Sequence, residues 1–317
     1  MSLRVAAFYR FAPLAEAVLP ALQEGLLAVG HAGDVKGTVL LAREGVNGTV
    51  SGPEAGVHAL LELLQQADSG LASLEVKHHS TDEQAFHRLK VRIKREIVTI
   101  GRPEVDPTAA VGTYVAPQNW NALIADPDTL VIDTRNAYEV AVGSFEGALD
   151  PDTASFRDFP VWVERELRPL VEERRPRALA LFCTGGIRCE KATAHLIQEG
   201  FEGVHHLQGG ILRYLESVDP AESRWRGECF VFDQRVAVNH RLESGDHSLC
   251  HGCRMPLSPA DRELPSYEKG VSCRHCVDRL APEDRERFSE RQRQVVLARR
   301  RGEAHIGRLF EAGPEAP

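Results

Sequence analysis

No run of apolar residues in this sequence approaches the length needed to cross a bilayer. The opening residues Met1-Ser2-Leu3-Arg4-Val5 lack the charge and cleavage pattern of a signal peptide, so no secretory leader is expected. G-x-G-x-x-G and Walker-type loops are both missing, so no nucleotide cofactor is readable. No histidine is followed two residues later by an acidic residue, which removes a readable facial triad for non-haem iron. Positive charge is not in excess either. The net charge of −8 argues against indiscriminate nucleic-acid binding, while a local RNA contact stays open. Neither a membrane nor DNA is expected as a partner. No internal repeat occurs, and nothing in the pattern fixes an oligomeric state. What is present is a chain of 317 residues, enough for two or three domains with proper cores. Its seven cysteines include two that look reactive and four in metal-like spacing, so a reducing cytoplasm is the expected home.

The densest chemistry lies in Cys183-Thr184-Gly185-Gly186-Ile187-Arg188-Cys189-Glu190-Lys191. An apolar, strand-like run, Leu179-Ala180-Leu181-Phe182, leads into Cys183, and a helical pattern through Ala192, Ala194, Leu196 and Ile197 follows. A cysteine in that position faces unpaired N–H groups and the positive end of a helix dipole. The thiolate is favoured there, which makes Cys183 a candidate nucleophile. Gly185 and Gly186 let the backbone curl so that several N–H groups converge. Cysteine phosphatases usually carry C-x5-R; here Cys183 to Arg188 is C-x4-R, a tighter loop that fits one sulfane sulfur better than a phosphate. This loop resembles the active-site loop of a rhodanese domain. Leu130-Val131-Ile132-Asp133-Thr134-Arg135, then Tyr138-Glu139 and Gly147-Ala148, resembles the rhodanese motif that precedes it.

The first hundred residues read as βαββαβ, the ferredoxin-like order. Strands are expected at Val5–Phe11, Thr38–Ala42 and Thr49–Ser51. Asn47-Gly48 marks the turn between the second and third. Helices are expected from Leu14 to Val29, stopped by Gly30, and after Pro53. The final strand is placed at roughly Phe86 to Val98. The expected divisions are a ferredoxin-like domain at 1–101, a linker near 102–114 and a rhodanese-like parallel-sheet α/β domain at 115–218. A C-terminal zinc-binding segment with a helical tail follows at 225–310. The last residues, ending Gly313-Pro314-Glu315-Ala316-Pro317, read as disordered.

Three further clusters stand out. Cys250-x2-Cys253 and Cys273-x2-Cys276 have the spacing of a four-thiolate zinc site. A closed sulfur shell implies a structural role, with an iron–sulfur cluster as the alternative. His251 and His275 sit inside the knuckles and are not needed as ligands. Arg88, Lys90, Arg92 and Lys94 alternate with Leu89, Val91 and Ile93, which puts the cations on one strand face, and Arg95 adds to them. That face suits a phosphate backbone; a charged edge that guards against aggregation is the competing reading. Arg285, Arg287, Arg291, Arg293, Arg299, Arg300 and Arg301 outnumber Glu286, Glu290 and Glu303 and form a second candidate RNA contact, or a merely solvated basic tail. The adjacent pairs His78-His79 and His205-His206 point to opposite strand faces and are not read as chelates.

The parts in order are Glu44-Gly45-Val46-Asn47-Gly48-Thr49, the Cys183 loop, Glu228-Cys229-Phe230-Val231-Phe232-Asp233 with Arg235-Val236-Ala237-Val238, and the paired C-x2-C. This set resembles the rhodanese-related tRNA uridine hydroxylases (the TrhO group). The resemblance covers nearly the whole chain. It implies an oxidoreductase of the monooxygenase type (EC 1.14) that takes molecular oxygen as co-substrate. Its product is 5-hydroxyuridine at the wobble position, so its partner is the anticodon arm of tRNA. It also makes Cys183 the active-site cysteine, the position of a persulfide, with Thr184, Gly185, Gly186 and Ile187 as its loop and Arg188 beside it. Cys189 is either core or a resolving thiol, in a supporting role. Two routes stay open: thiolate addition at C6 that activates C5, or a persulfide that handles oxygen. The base must in either case leave its stack. A plain rhodanese-type sulfurtransferase, or a zinc-stabilised RNA-binding module, is the alternative.

Overall fold

A computed structural model of the protein describes residues 3–81 and 84–302. Glu303, the end of the 225–310 region and the terminal residues expected to be disordered lie outside the described residues. The chain divides into two compact units, Met1–Gly245 and Asp246–Pro317. No helix among the described residues is long and apolar enough to cross a membrane.

The first unit opens with β1 (Leu3–Phe11), α1 (Leu19–Ala32), β2 (Lys36–Ala42), β3 (Gly45–Gly52), α2 (Glu54–Ala67), β4 (Glu75–Thr81) and β5 (Leu89–Ile93). Their sheet has the order β4-β1-β3-β2-β5. The first four strands make the ferredoxin-like pattern, and β5 is an added edge strand parallel to β2. Period-two alternation sends Ala6, Phe8, Val39, Leu41, Val46, Val50 and Val91 to one face. There they pack on the apolar stripes of α1 and α2, through Leu22, Leu26, Leu60 and Leu64.

This corrects three sequence expectations. The fourth ferredoxin strand is β4, whose alternation is blurred by Lys77, His78 and His79; the basic strand is a fifth and spans only Leu89–Ile93. The β2–β3 turn is Arg43-Glu44, and Asn47-Gly48 lies within β3. A Cβ on Gly48 would stand 2.7 Å from the Phe8 ring, so this glycine serves close packing, not turning. Gly30 likewise does not stop α1, because a Cβ there would lie 2.4 Å from Leu89 and the residue lets β5 approach the helix. Within residues 102–114, Val105 is buried.

The second sheet of the unit comprises β6 (Thr113–Val115), β7 (Thr129–Asp133), β9 (Ala178–Phe182) and β10 (Val204–Leu207), in the order β6-β10-β9-β7 and all parallel. The intervening elements are α3 (Pro117–Ile124), α4 (Ala137–Val140), β8 (Gly143–Phe145), α5 (Phe159–Trp162) and α6 (Arg168–Arg174). After β9 come α7 (Ile187–Gln198) and, following β10, α8 (Gly210–Ser217). Every residue of β9 is buried, as expected for a strand covered on both faces. Leu179 and Leu181 face the core shared with Trp162, Ala192 and Leu196; Ala180 and Phe182 face Trp120, Ile211 and Tyr214. Residues 225–245 belong to the same unit: β11 (Trp225–Gly227) pairs with β8, and β12 (Cys229–Phe230) forms a hairpin with β13 (Ala237–Val238).

The second unit holds β14 (Ser248–Leu249) paired with β15 (Pro256–Leu257), and α9 (Pro282–Arg300). Its buried cluster is little more than Leu257 and three of the cysteines. Such a core is too small to fold by apolar burial alone.

Candidate active site

Residue alternation carries Cys183 off the end of β9 into a turn that opens α7. Gly186 takes φ +106°, a value side-chain-bearing residues rarely adopt, and its N–H then donates to the Cys183 Sγ at 3.1 Å. The N–H groups of Ile211 and Leu212, at the start of α8, hold the carbonyls of Cys183 and Thr184 from the other side. Burial opposes ionisation of Cys183. It is outweighed by a hydrogen bond from the Cys189 thiol, the Arg188 charge and the N–H groups of Cys189 and Gly186, which together lower the thiol from 9.0 to about 5. Cys189 is pushed the other way, first by burial and then by the neighbouring thiolate. It lies 3.6 Å from the Thr134 hydroxyl.

Arg188 is fixed by a partner that the sequence motifs do not mark as a site residue. Glu139 accepts both of its guanidinium nitrogens, at 2.6 and 2.8 Å, with both side chains buried. Burial alone would raise the Glu139 carboxyl; the Arg188 charge holds it below its ordinary range. Glu139 also caps α4 through the Asn136 N–H. Arg135, wholly buried, bonds the Asp133 carboxylate and the carbonyls of Glu139 and Gly143, which fixes the turn carrying Glu139. Asp133-x-Arg135 therefore shapes the site and does no chemistry in it.

Tethers from the N-terminal sheet complete the loop. The Lys77 ammonium donates to the carbonyls of Gly185, at 3.0 Å, and Gly209. Burial lowers its pKa, and the nearby Cys183 charge resists that. Tyr9 donates to Glu190 at 2.7 Å, and burial raises the Glu190 carboxyl. Lys191, fully buried, bonds Glu44 at 2.6 Å and Glu96 at 2.7 Å. Glu190 and Lys191 end the signature loop, and both bind the neighbouring sheet. Nothing in the local pattern marks these partners, because they lie 95 to 181 residues away.

Between the sheet and the loop is a cavity of about 540 Å³ whose walls include Cys183, Arg188, Tyr9, Lys77 and Phe232. Its floor is the helix-free face of the sheet. Register places Lys77, Ala7, Thr49, Thr38 and Lys90 in one row across five strands, and Glu75, Tyr9, Asn47, Leu40 and Arg92 in the next. Small residues in the first row leave the space. Lys90 and Arg92 therefore share the cavity's face, one strand beyond its floor. Burial, then the charges of Arg88 and Arg92, lowers the Lys90 pKa, so these three cations lie together. Lys94 and Arg95 come after the strand, in the wall of a separate groove with Arg43, Glu104 and Asp106.

In the second unit the ligand atoms of Cys250, Cys253, Cys273 and Cys276 all lie within 4.8 Å of one another. Sulfur separations of 3.6 to 3.9 Å are far too long for disulfides and suit four thiolates around one metal ion. Three arginines of the helix are ion-paired, Arg285 with Glu268, Arg287 with Asp284 and Arg293 with Glu290, while Arg291 donates to the carbonyls of His251 and Gly270.

Comparison with known proteins agrees with this arrangement. Residues 3–97 match the UPF0176 acylphosphatase like domain, and residues 116–217 match the rhodanese-like domain. A protein of Parasynechococcus marenigrum (strain WH8102) named tRNA uridine(34) hydroxylase is 60% identical over 297 residues, covering 92% of each chain. The chain belongs to the tRNA uridine(34) hydroxylase family. Other members are as fully covered. One from Synechococcus sp. (strain CC9605) is 59% identical over 92% of this chain and 91% of its own. One from Mesorhizobium japonicum (strain LMG 29417 / CECT 9101 / MAFF 303099) is 55% identical over 96% of both. Within a tRNA uridine(34) hydroxylase family member, the sheet-walled cavity is the notable part.

Proposed function

We propose that the protein hydroxylates uridine 34 of tRNA at C5, giving 5-hydroxyuridine, with Cys183 as the reacting thiol; one atom of molecular oxygen enters C5 and the other leaves as water, with two electrons from an external reductant. One observation carries this reading: the acidified Cys183 opens into a cavity whose floor continues into a cationic strand. The curated relatives bear the name of that activity over the full chain. The cavity lies within the range of small-molecule sites, so one extruded nucleotide can enter it. Arg88, Lys90 and Arg92 then neutralise phosphates of the anticodon arm. Cys183, as thiolate at neutral pH, is poised to add to an electrophilic ring carbon or to carry a sulfur. Arg188 and the α7 N-terminus balance its charge, while Lys77 holds the loop carbonyls away from it. Cys189 supports the thiolate by donating to it. A plain sulfurtransferase acting on a small donor has no use for the sheet floor or the cations.

In the second unit we assign zinc to Cys250, Cys253, Cys273 and Cys276. A tetrahedral site with Zn–S of about 2.3 Å has sulfurs roughly 3.8 Å apart; three of the sulfur pairs lie at 3.6 to 3.9 Å and all four atoms lie within 4.8 Å of one another. Four thiolates leave no open position, so the ion holds the unit together. None of the seven cysteines forms a disulfide, consistent with work in the cytoplasm.

The direct test is mass analysis of tRNA nucleosides from a strain lacking the gene, complemented with wild type, Cys183→Ser or Cys189→Ser. Wild type should restore 5-hydroxyuridine, Cys183→Ser should not, and Cys189→Ser should restore part. Full restoration by Cys183→Ser would sink the thiol assignment.

A further inference from the structure

At the rim of the cavity stands a side chain that packing does not explain. Phe232 lines the cavity with Cys183 and Arg188, yet it is 62% exposed, more than Val161 at 56% or Tyr114 at 46%. It is held there by a built turn. Phe232 lies in the loop of the β12–β13 hairpin, closed by the Val231 N–H donating to the Val236 carbonyl at 2.9 Å. The Asp233 carboxylate accepts the Arg235 N–H and its guanidinium, at 2.6 to 3.1 Å, across the same loop. Val236 closes the turn at φ +65°, an unusual conformation for a β-branched residue. Strain of this kind concentrates at ligand-holding segments. The Phe230 ring braces Phe232 edge-on at 5.2 Å and 84°, and the Arg188 guanidinium lies 5.9 Å from its centroid. The result is an aromatic ring fixed in position, in water, beside the reactive loop.

We propose that Phe232 is the platform on which the target uracil stacks after it leaves the anticodon stack. The assignment rests on the tRNA reading above and adds the residue that receives the base. An extruded base loses its neighbours and needs an aromatic or apolar face in exchange. The floor cannot supply it, because its first row is Ala7, Thr38 and Thr49 between two lysines. Tyr9 is committed to Glu190 through its hydroxyl. Of the described aromatics that line the cavity, Phe8 is buried, Tyr9 and Phe86 are half-buried, and Phe232 alone is exposed. Stacked there, the base enters the cavity with its ring edge toward Cys183.

The test measures binding of the full-length protein to an anticodon stem–loop with uridine at position 34, and to the same stem–loop without a base there. Wild type, Phe232→Ala, Phe232→Leu and Phe232→Tyr are compared, and melting temperatures check folding. The alanine and leucine variants should bind the uridine stem–loop roughly 5- to 150-fold more weakly, the range of one base–aromatic stack. Tyrosine should keep nearly full affinity. Wild type should bind the abasic stem–loop about as weakly as Phe232→Ala binds either, so the two losses do not add. Unchanged affinity in Phe232→Ala, full affinity in Phe232→Leu, or additive losses would each overturn the assignment. If wild type forms 5-hydroxyuridine in cells while Phe232→Ala does so equally well, only this inference falls. If wild type neither forms it nor binds the stem–loop, the function falls with it.

Discussion

Arg188 is where the electrostatics of the site can be tested most sharply. With the Cys183 thiol at about 5, the thiolate makes up about 99% of the population at pH 7, against about 1% for an ordinary thiol near 9. Removing Arg188 alone would strand Glu139 in the interior without its partner, and breaking a buried pair costs about 3–5 kcal/mol. The informative variant is therefore Arg188→Met together with Glu139→Gln, which removes both charges. An opposite charge close by is worth about 1–3 in pKa, and loss of the Glu139 carboxylate, which ranks below Arg188 in its effect on the thiol, gives part of that back, so the Cys183 midpoint should climb to roughly 6–7. The assay is ultraviolet absorbance of the thiolate against pH, with Cys183→Ser subtracted to remove the other cysteines. Stability supplies a second reading. The folded pKa is depressed relative to the unfolded chain, so the unfolded state binds more protons between pH 5 and 9 and stability rises with pH across that window. Wild type should gain on Cys183→Ser from pH 5 upward, by on the order of 5 kcal/mol in full, and lose that gain as pH falls through about 5. A wild-type midpoint near 9, or one that stays near 5 in the double variant, would refute the role given to Arg188.

Two further outcomes are expected. Elemental analysis should find one zinc per chain, and Cys253→Ser or chelation should unfold the Asp246–Pro317 unit, because a closed thiolate site contributes folding free energy. No metal, or iron with visible absorbance, would contradict this. Neutralising Arg88, Lys90, Arg92 and Lys94 together should weaken tRNA binding across sequences and make the salt dependence shallower by roughly one for each phosphate that is no longer neutralised. Lys90→Gln with Arg92→Gln should carry most of that effect, since they share the cavity's face and Lys94 does not. Unchanged affinity and slope would leave the strand as a solvated edge.

Local chemistry was legible in the sequence because it depends on residues close together in the chain. Cys183 to Arg188 lies within one loop, and its glycines announce the turn that acidifies the thiol. The paired C-x2-C knuckles encode a four-sulfur cluster whatever surrounds them. The parallel sheet could be read because β9 is a continuous apolar run between helical patterns. Errors arose where two rules competed. Asn47-Gly48 has turn chemistry but lies in β3, where Gly48 makes room for the Phe8 ring. β4 alternates between the two sheet faces, but this is hidden because its helix-side residues include the exposed His78 and its cavity face carries Lys77 and His79.

The site as a whole was a different matter. Glu139 reaches Arg188 across 49 positions, Lys77 reaches Gly185 across 108 and Tyr9 reaches Glu190 across 181. No period or spacing rule spans such distances: the first contact exists only once the parallel-sheet domain has folded, the other two only once two sheets have been brought together. Phe232 shows the same limit from the other direction: its place in the Glu228–Asp233 motif does not say what it faces, and only the folded hairpin leaves it exposed at the cavity rim. The sequence by itself therefore determined where the thiol loop lies, because strand end, glycine turn and helix start are consecutive and set the field at Cys183. Tertiary structure alone decided what that atom faces, because the cavity is made by strand register and by charge pairs between segments that are remote in the chain.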